Sequence, residues 1–320
     1  MELDKIGGGF LALAIINLIF PISVVLALGA VSRRRGWITE SGVAAIKNIV
    51  GKILLPLILF NAMFTAEYSA SAVVVILVVF LGFLLALGAG ILLAKAFPQF
   101  GKYLPVLITT CESGMLGYPL IAMLFGVEGQ QAFAMADLPH TAFFFTVALT
   151  FLRVTDGHSP AAGEIVRGMF SAAPFDGMLL GMALGLAGMD ELLARTPLWE
   201  TYVTAVDFIT APTTVLVLLF LGYSLSFRKE AMRPVIATSL LRLAVMGVVA
   251  ALCVFSVFQI VAYDRVQMFA VVLVFLLPPS FSIPIFSELK GSEEYVSTTI
   301  SFSTVLTLIA FVVMAAFALT

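Results

Sequence analysis

The 320-residue chain is 61% hydrophobic and only 11% charged, with a formal net charge of −2 and a mean hydropathy of +1.12. A water-soluble domain of this size carries roughly 25% charged residues, so water is not the solvent for most of this chain. The near-zero charge, without a basic stripe, excludes a nucleic-acid binder. The two cysteines, Cys111 and Cys253, both sit in apolar stretches and supply no disulfide framework.

A bilayer core of ~30 Å is crossed by ~20 apolar helical residues. Stretches near that length occur at 10–32, 43–65, 70–96, 102–125, 130–152, 167–189, 200–226, 236–262, 266–287 and 295–319. The first is followed by Arg33-Arg34-Arg35 and is too long for a signal peptide, so it is expected to be a retained helix. The connections are short, the longest polar one lying near 153–166. Ten crossings put both termini on one side, and lysine and arginine placement chooses which. With both termini outside, fourteen bases lie at the cytoplasmic side: Arg33, Arg34, Arg35, Lys47, Lys52, Lys95, Lys102, Arg153, Arg167, Arg228, Lys229, Arg233, Arg242 and Lys290. Only Lys5, Arg195 and Arg265 face out. Lys47, Lys52 and Arg242, near inner span ends, are read as snorkelling to phosphates.

The fourth and ninth stretches share a grammar. Pro119 and Pro284, and likewise Gly126 and Gly291, are separated by the same 165 residues. Pro21 has a counterpart in Pro174, and Pro56 in Pro212, at slightly shorter offsets. The pattern reads as five helices followed by five more, the second set inserted upside down because five is odd. The expected fold is therefore an all-α membrane protein of ten transmembrane helices in two inverted five-helix repeats, 1–152 and 167–320, joined by a cytoplasmic linker at 153–166. Proline removes an N–H and clashes with the preceding turn, so breaks are expected at Pro119 and Pro284, with Gly117 adding freedom. Freed backbone groups cannot face lipid, and matched interruptions in two halves point to a transporter's binding site.

The segments Gly29 to Trp37, Leu54-Leu55-Pro56-Leu57-Ile58-Leu59-Phe60, Gly114-Met115-Leu116-Gly117-Tyr118-Pro119-Leu120 and Leu277-Pro278-Pro279-Ser280-Phe281-Ser282-Ile283-Pro284 resemble the auxin efflux carrier family. The resemblance runs over essentially the whole chain, through motifs that are individually short. It implies broken crossover helices at spans four and nine, an architecture shared with bile-acid symporters and some sodium/proton antiporters. It also implies a scaffold of spans one, two, six and seven, a transport domain of spans three to five and eight to ten, and a homodimer through the scaffold. Family substrates include auxin and malonate-like carboxylates. The family commonly places Asn where this chain has Glu112 and His140, and an acid at 112 repels a carboxylate unless protonated or paired.

Ionisable groups inside spans are costly and mark function. Glu112 suits proton coupling or cation coordination. Asp137 and His140, three residues apart, share a helix face and form a candidate proton relay. Ser113, Gly117, Pro119, Pro279, Ser280, Ser282 and Pro284 flank the two expected breaks as candidate substrate or ion contacts. Asn61 is a candidate from the scaffold side, and Asp176 and Asp207 are secondary candidates. No Cys/His cluster, nucleophile elbow or phosphate loop is present in the sequence, so no metal, cofactor or enzymatic reaction is expected. The expected activity is secondary transport of a small organic anion, a carboxylate or dicarboxylate, by alternating access with H⁺, Na⁺ or no coupling, in the plasma (inner) membrane. The alternatives are a cation/proton antiporter with Glu112 as ligand, and a non-transporting membrane receptor.

Overall fold

The computed structural model describes residues 2–158, 163, 173–225, 232–289 and 291–319. Arg167, Arg228, Lys229 and Lys290, most of the linker and the first residues of the sixth stretch lie outside the described residues. Among those described, regular structure is entirely helical. We number the helices α1 (Glu2–Arg35), α2 (Glu40–Phe64), α3 (Ala70–Ala96), α4 (Leu104–Thr109), α5 (Tyr118–Phe143), α6 (Leu149–Thr155), α7 (Ala173–Leu186), α8 (Met189–Ala194), α9 (Leu198–Thr210), α10 (Thr213–Ser224), α11 (Met232–Ile260), α12 (Arg265–Leu276), α13 (Ile283–Phe286) and α14 (Glu293–Leu319). Among the described residues, six segments are long and apolar enough to cross a bilayer: Glu40–Phe64, Ala70–Ala96, Leu104–Thr155, Leu198–Ser224, Met232–Ile260 and Glu293–Ala318. Helices α7 and α12 are shorter and also apolar. The chain is an integral membrane protein.

Local chemistry sets the helix ends. Thr39 Oγ1 accepts from Gly42 N at 3.2 Å, and Ser69 Oγ accepts from Ala72 N at 3.3 Å, each satisfying an orphan donor of a first turn. Within α2, Pro56 has no N–H to give to the carbonyl four residues earlier, and a π-turn at Val50–Leu54 precedes it. Of the three arginines ending α1, Arg33 reaches a neighbour, its Nη1 donating to the carbonyls of Leu225 at 3.0 Å and Tyr223 at 3.4 Å. A cation is thereby placed at the C-terminal, electronegative end of α10.

The segment from Leu104 to Thr155 is too long for one crossing, because 52 residues of straight helix would extend ~78 Å. It is interrupted at residues 110–112 and folds back at Gly126, whose φ of +58° only glycine adopts without strain. The Tyr118 and Phe133 ring centroids lie 4.9 Å apart, whereas fifteen residues of straight helix would separate them by ~22 Å. The second interrupted segment follows the same order. Helix α12 ends at Leu276, Pro278 and Pro279 have no N–H to give, α13 starts with Pro284 in its first turn, and Gly291 has a φ of +78° before α14.

Both breaks correct the expectation that they fall at Pro119 and Pro284. Pro284 occupies the first turn of the helix that follows, where its missing N–H has no partner to lose, whereas Pro119 lies within a helix that has already resumed as a π-turn at Ser113–Gly117. The first break lies at Thr110–Glu112, where no proline stands. There Thr109 and Thr110 turn their hydroxyls onto the carbonyls of Pro105 (2.8 Å) and Val106 (2.7 Å), and Thr110 is already extended. Gly117 is not a hinge either. It is right-handed helical, and a Cβ there would collide with the Phe133 ring.

Two helix pairs pack through glycine. On α7, Gly177, Gly181 and Gly185 recur every four residues and lie directly against the backbone of Pro56, Phe60 and Met63–Phe64 in α2. Gly29 of α1 and Gly222 of α10 lie against the backbone of Leu219 and Leu26 in the opposing helix. Small residues at such spacing let helix backbones approach in lipid, where no hydrophobic force drives association. Around the two breaks, helices α3, α5, α11, α12 and α14 pack mainly through large side chains, with Phe83 stacked on Phe143 and Phe275 at centroid distances of 5.4 and 4.7 Å, although Gly90 of α3 also lies against the backbone of Pro105 in α4.

At one end of this bundle Asp156 joins the two halves. It accepts from Tyr103 Oη (2.5 Å), Ser287 Oγ (2.7 Å) and Glu288 N (3.1 Å), with Lys102 Nζ 3.8 Å away. Burial raises its carboxyl pKa, but the donated hydrogen bonds outweigh burial and hold it below the usual carboxylate range. Its stabilising contribution is complete above the unfolded-state value of ~3.9 and is lost as pH falls from there through the lowered folded-state value. Asp156→Asn should therefore flatten the acid limb of thermal stability in detergent below about pH 4, and should lower stability at neutral pH by about 1–3 kcal/mol. Gly181→Leu should separate α2 from α7 and lower the unfolding temperature, read by the same melting assay; Leu180→Ala, on an exposed side chain, should change it little.

Candidate functional site

The two interruptions lie against each other. Glu112 N donates to the carbonyl of Pro278 at 2.9 Å, and Ser280 N donates to Thr110 Oγ1 at 3.3 Å. Each break exposes a helix end with carbonyls lacking N–H partners and a following helix start with N–H groups lacking acceptors. One base and one acid serve both sets.

The base is Arg242, near the start of α11 and 4% exposed. Its Nη1 donates to the carbonyls of Leu107 (2.8 Å) and Ile108 (2.5 Å), the closing residues of α4. Its Nη2 donates to the carbonyl of Leu277 (2.5 Å), just beyond α12, and to Cys111 Sγ (3.4 Å). A single guanidinium thus caps the electronegative ends of both half-helices. This corrects the reading of Arg242 as a snorkelling base. Its fork of fixed donors matches three carbonyls from two segments, among which it is buried.

The acid is Glu112, 7% exposed. Its Oε1 accepts from Met115 N at 3.3 Å, and its Oε2 accepts from Phe281 N at 2.7 Å. It caps the start of the chain's return to helix after the first break and also holds the backbone of the second. Beside it, the Cys111 N–H donates to His140 Nε2 at 3.1 Å, so that nitrogen acts as an acceptor. The ring proton then sits on Nδ1, which faces Asp137 Oδ1 at 3.1 Å and Ser113 Oγ at 3.2 Å. Asp137 is 1% exposed and His140 3%. The pair expected from their three-residue spacing is formed, in a geometry that leaves the imidazole neutral and orients it.

Glu112, Ser113, Asp137, His140, Ser280 and Ser282 line one cavity of about 260 Å³, walled by α2, the first turn of α7 and both breaks. Pro279 is buried beside it, and Gly117 and Pro119 are buried in the packing of α5. Pro284 lines a neighbouring cavity. Asn61, Asp176 and Asp207 do not line the 260 Å³ cavity. Asn61 Oδ1 accepts from Tyr202 Oη at 2.7 Å, fastening α2 to α9, while Asp176 and Asp207 are exposed on α7 and α9. Sequence reasoning missed the role of Arg242. Its signal was available, because an arginine between Leu241 and Leu243 in a 29-residue apolar helix is costly unless it has buried partners.

No family model matches the chain. A curated protein of Methanothermobacter thermautotrophicus, named an uncharacterized transporter, is 22% identical over 305 residues, which cover 91% of this chain and 94% of that protein. The likeness supports a transporter in general.

Arg242→Met should leave three buried carbonyls without donors and cost at least about 3 kcal/mol, read as loss of folded protein on size-exclusion chromatography and a lowered melting temperature. Arg242→Lys keeps the charge but reaches fewer carbonyls, and should fall between Arg242→Met and the parent.

Proposed function

We propose that this protein is a secondary transporter of a small organic anion, a carboxylate, working by alternating access. The observation that carries the reading is the junction of two interrupted helices inside an apolar bundle, clamped by Arg242 and Glu112 and opening onto a cavity. Breaks of this kind are expensive in lipid and are tolerated where they line a solvated site. In this reading the ten stretches are ten crossings in two inverted five-helix repeats, with the interrupted segments as crossover helices. Three features support the repeat. The order of helix, break, proline-bearing helix and left-handed glycine occurs twice. The 165-residue offset relates Gly126 to Gly291, both at positive φ. The α1–α10 and α2–α7 pairings exchange under a two-fold relation that takes span one to six and two to seven.

The same pairings favour a scaffold of spans one, two, six and seven. Its glycine-packed helix pairs form a rigid body against which spans three to five and eight to ten move. We read the protein as a homodimer through this scaffold, in the plasma (inner) membrane, with both termini outside. Glu112, in contact with both breaks and with the cavity, is the proposed proton-coupling group. Asp137 and His140 position its neighbour Ser113 and the chain at Cys111. Protonation of Glu112 would weaken its hold on Phe281 N, loosening the junction between the interrupted segments.

Proteoliposomes given an external radiolabelled carboxylate and an imposed pH or Na⁺ gradient test the reading. Uptake above the ungraded control is expected with the pH gradient, and Glu112→Gln should remove that increment while leaving counterflow measurable. An increment that Glu112→Gln leaves intact would take the coupling role from Glu112. An increment with Na⁺ alone would make sodium the coupling ion, and uptake of cations but not carboxylates would establish the antiporter alternative.

A further inference from the structure

A second cavity, of about 300 Å³, lies on the other face of the second break and contains a lysine. Lys47, on α2, is half-buried there, and among the described residues it has no hydrogen bond or ion pair. It is close enough to Glu112 for a charge–charge interaction without forming an ion pair. Across the cavity, Ser224 ends α10 and its hydroxyl is likewise uncommitted. The other hydroxyls differ. Thr304 Oγ1 donates to the carbonyl of Ile300 at 2.8 Å, and Ser297 Oγ donates to the carbonyl of Glu294 at 3.2 Å, so neither has a proton to offer a ligand. Ser301 also lines the cavity and is buried. The rest of the wall is apolar, formed by Phe220, Leu221, Leu225, Phe281, Pro284 and Ile300.

An ammonium in a largely apolar cleft, with no ion pair of its own, is a binding element for an anion. Lys47 and Ser224 are donors, and Lys47 is the one cation among the described residues lining the cavity, so a second carboxylate would have no countercharge there. We propose that this cavity is the anion site of the transporter, that Lys47 is the countercharge for the substrate's carboxylate with Ser224 as its second donor, and that the preferred substrate is a monocarboxylate with an apolar body rather than a dicarboxylate. The proposal rests on the transport reading above and names its substrate chemistry. A volume of 300 Å³ lies at the low end for small-molecule pockets. The site is separate from the Glu112 cavity, and Phe281 lies between them: its ring lines the Lys47 cavity, while its N–H is held by Glu112. Glu288, Glu293 and Glu294 line a further cavity that shares Pro284 and Ser297 with this one. A bound anion would touch both the proposed scaffold, through α2 and α10, and the proposed moving bundle, through Phe281 and α14.

The test measures equilibrium binding of radiolabelled benzoate to the purified full-length protein in detergent, and benzoate counterflow in proteoliposomes, for the parent, Lys47→Gln and Lys47→Arg. Losing one charge-assisted contact of this kind should weaken binding about tenfold or more in Lys47→Gln. Lys47→Arg should stay within about threefold of the parent, and unlabelled succinate should compete poorly. Benzoate binding unchanged in Lys47→Gln, with counterflow intact, would remove the site while leaving the transport reading in place. Lys47-dependent binding without counterflow would keep the site and sink the transport reading. Succinate binding more tightly than benzoate, or no benzoate binding by the parent, would overturn the proposed site.

Discussion

Every other feature of this fold depends on how the backbone is satisfied where two helices stop inside an apolar bundle. An unpaired carbonyl or N–H buried away from water costs about as much as a lost hydrogen bond, and lipid offers no replacement partner. Two interrupted segments placed side by side would multiply that cost. Arg242 and Glu112 remove it by serving both segments at once, the guanidinium at Leu107, Ile108 and Leu277, and the carboxylate at Met115 and Phe281. Each charge sits at the helix ends whose dipoles favour it. The two charged residues of the junction are therefore also what allows the junction to exist.

That dual duty has consequences for movement. A helix packed against another through glycine, as α7 is on α2 and α1 on α10, has backbone against backbone and little room to slide. The helices around the breaks meet mainly through Phe83, Phe143, Phe275 and similar large side chains, with the irregular backbone between them. In the proposed division, the glycine-packed pairs are the part that resists rearrangement and the helices around the two interrupted segments are the part that moves. Alternating access, as we propose it, needs both.

Phe281 links the two cavities. Its backbone belongs to the second break and answers to Glu112, while its ring closes the space in front of Lys47. In the proposed scheme a proton arriving at Glu112 and an anion arriving at Lys47 act on the same residue from opposite sides. This is a physical route for coupling that needs no conformational relay across the bundle.

Membrane residence, helical class and the pairing of Asp137 with His140 were all readable from the sequence, because each depends on local composition or on a spacing shorter than one helical turn. The twin glycines Gly126 and Gly291 were readable too, since a positive φ selects the residue type directly. The position of the first break was not. Proline can stand beyond a break as well as at one, so Pro119 pointed to the right segment and the wrong residues. Arg242 was read as a surface base because its partners, the carbonyls of residues 107, 108 and 277, carry no side-chain signature and lie far away in sequence. Lys47 was read among the same bases, and the cavity it lines is likewise built from residues distant in sequence. The sequence by itself determined the solvent, the helices and the candidate charges. Only the tertiary structure decided which charges face backbone, which face a cavity and which face outward, because that choice depends on backbone groups that every residue carries alike.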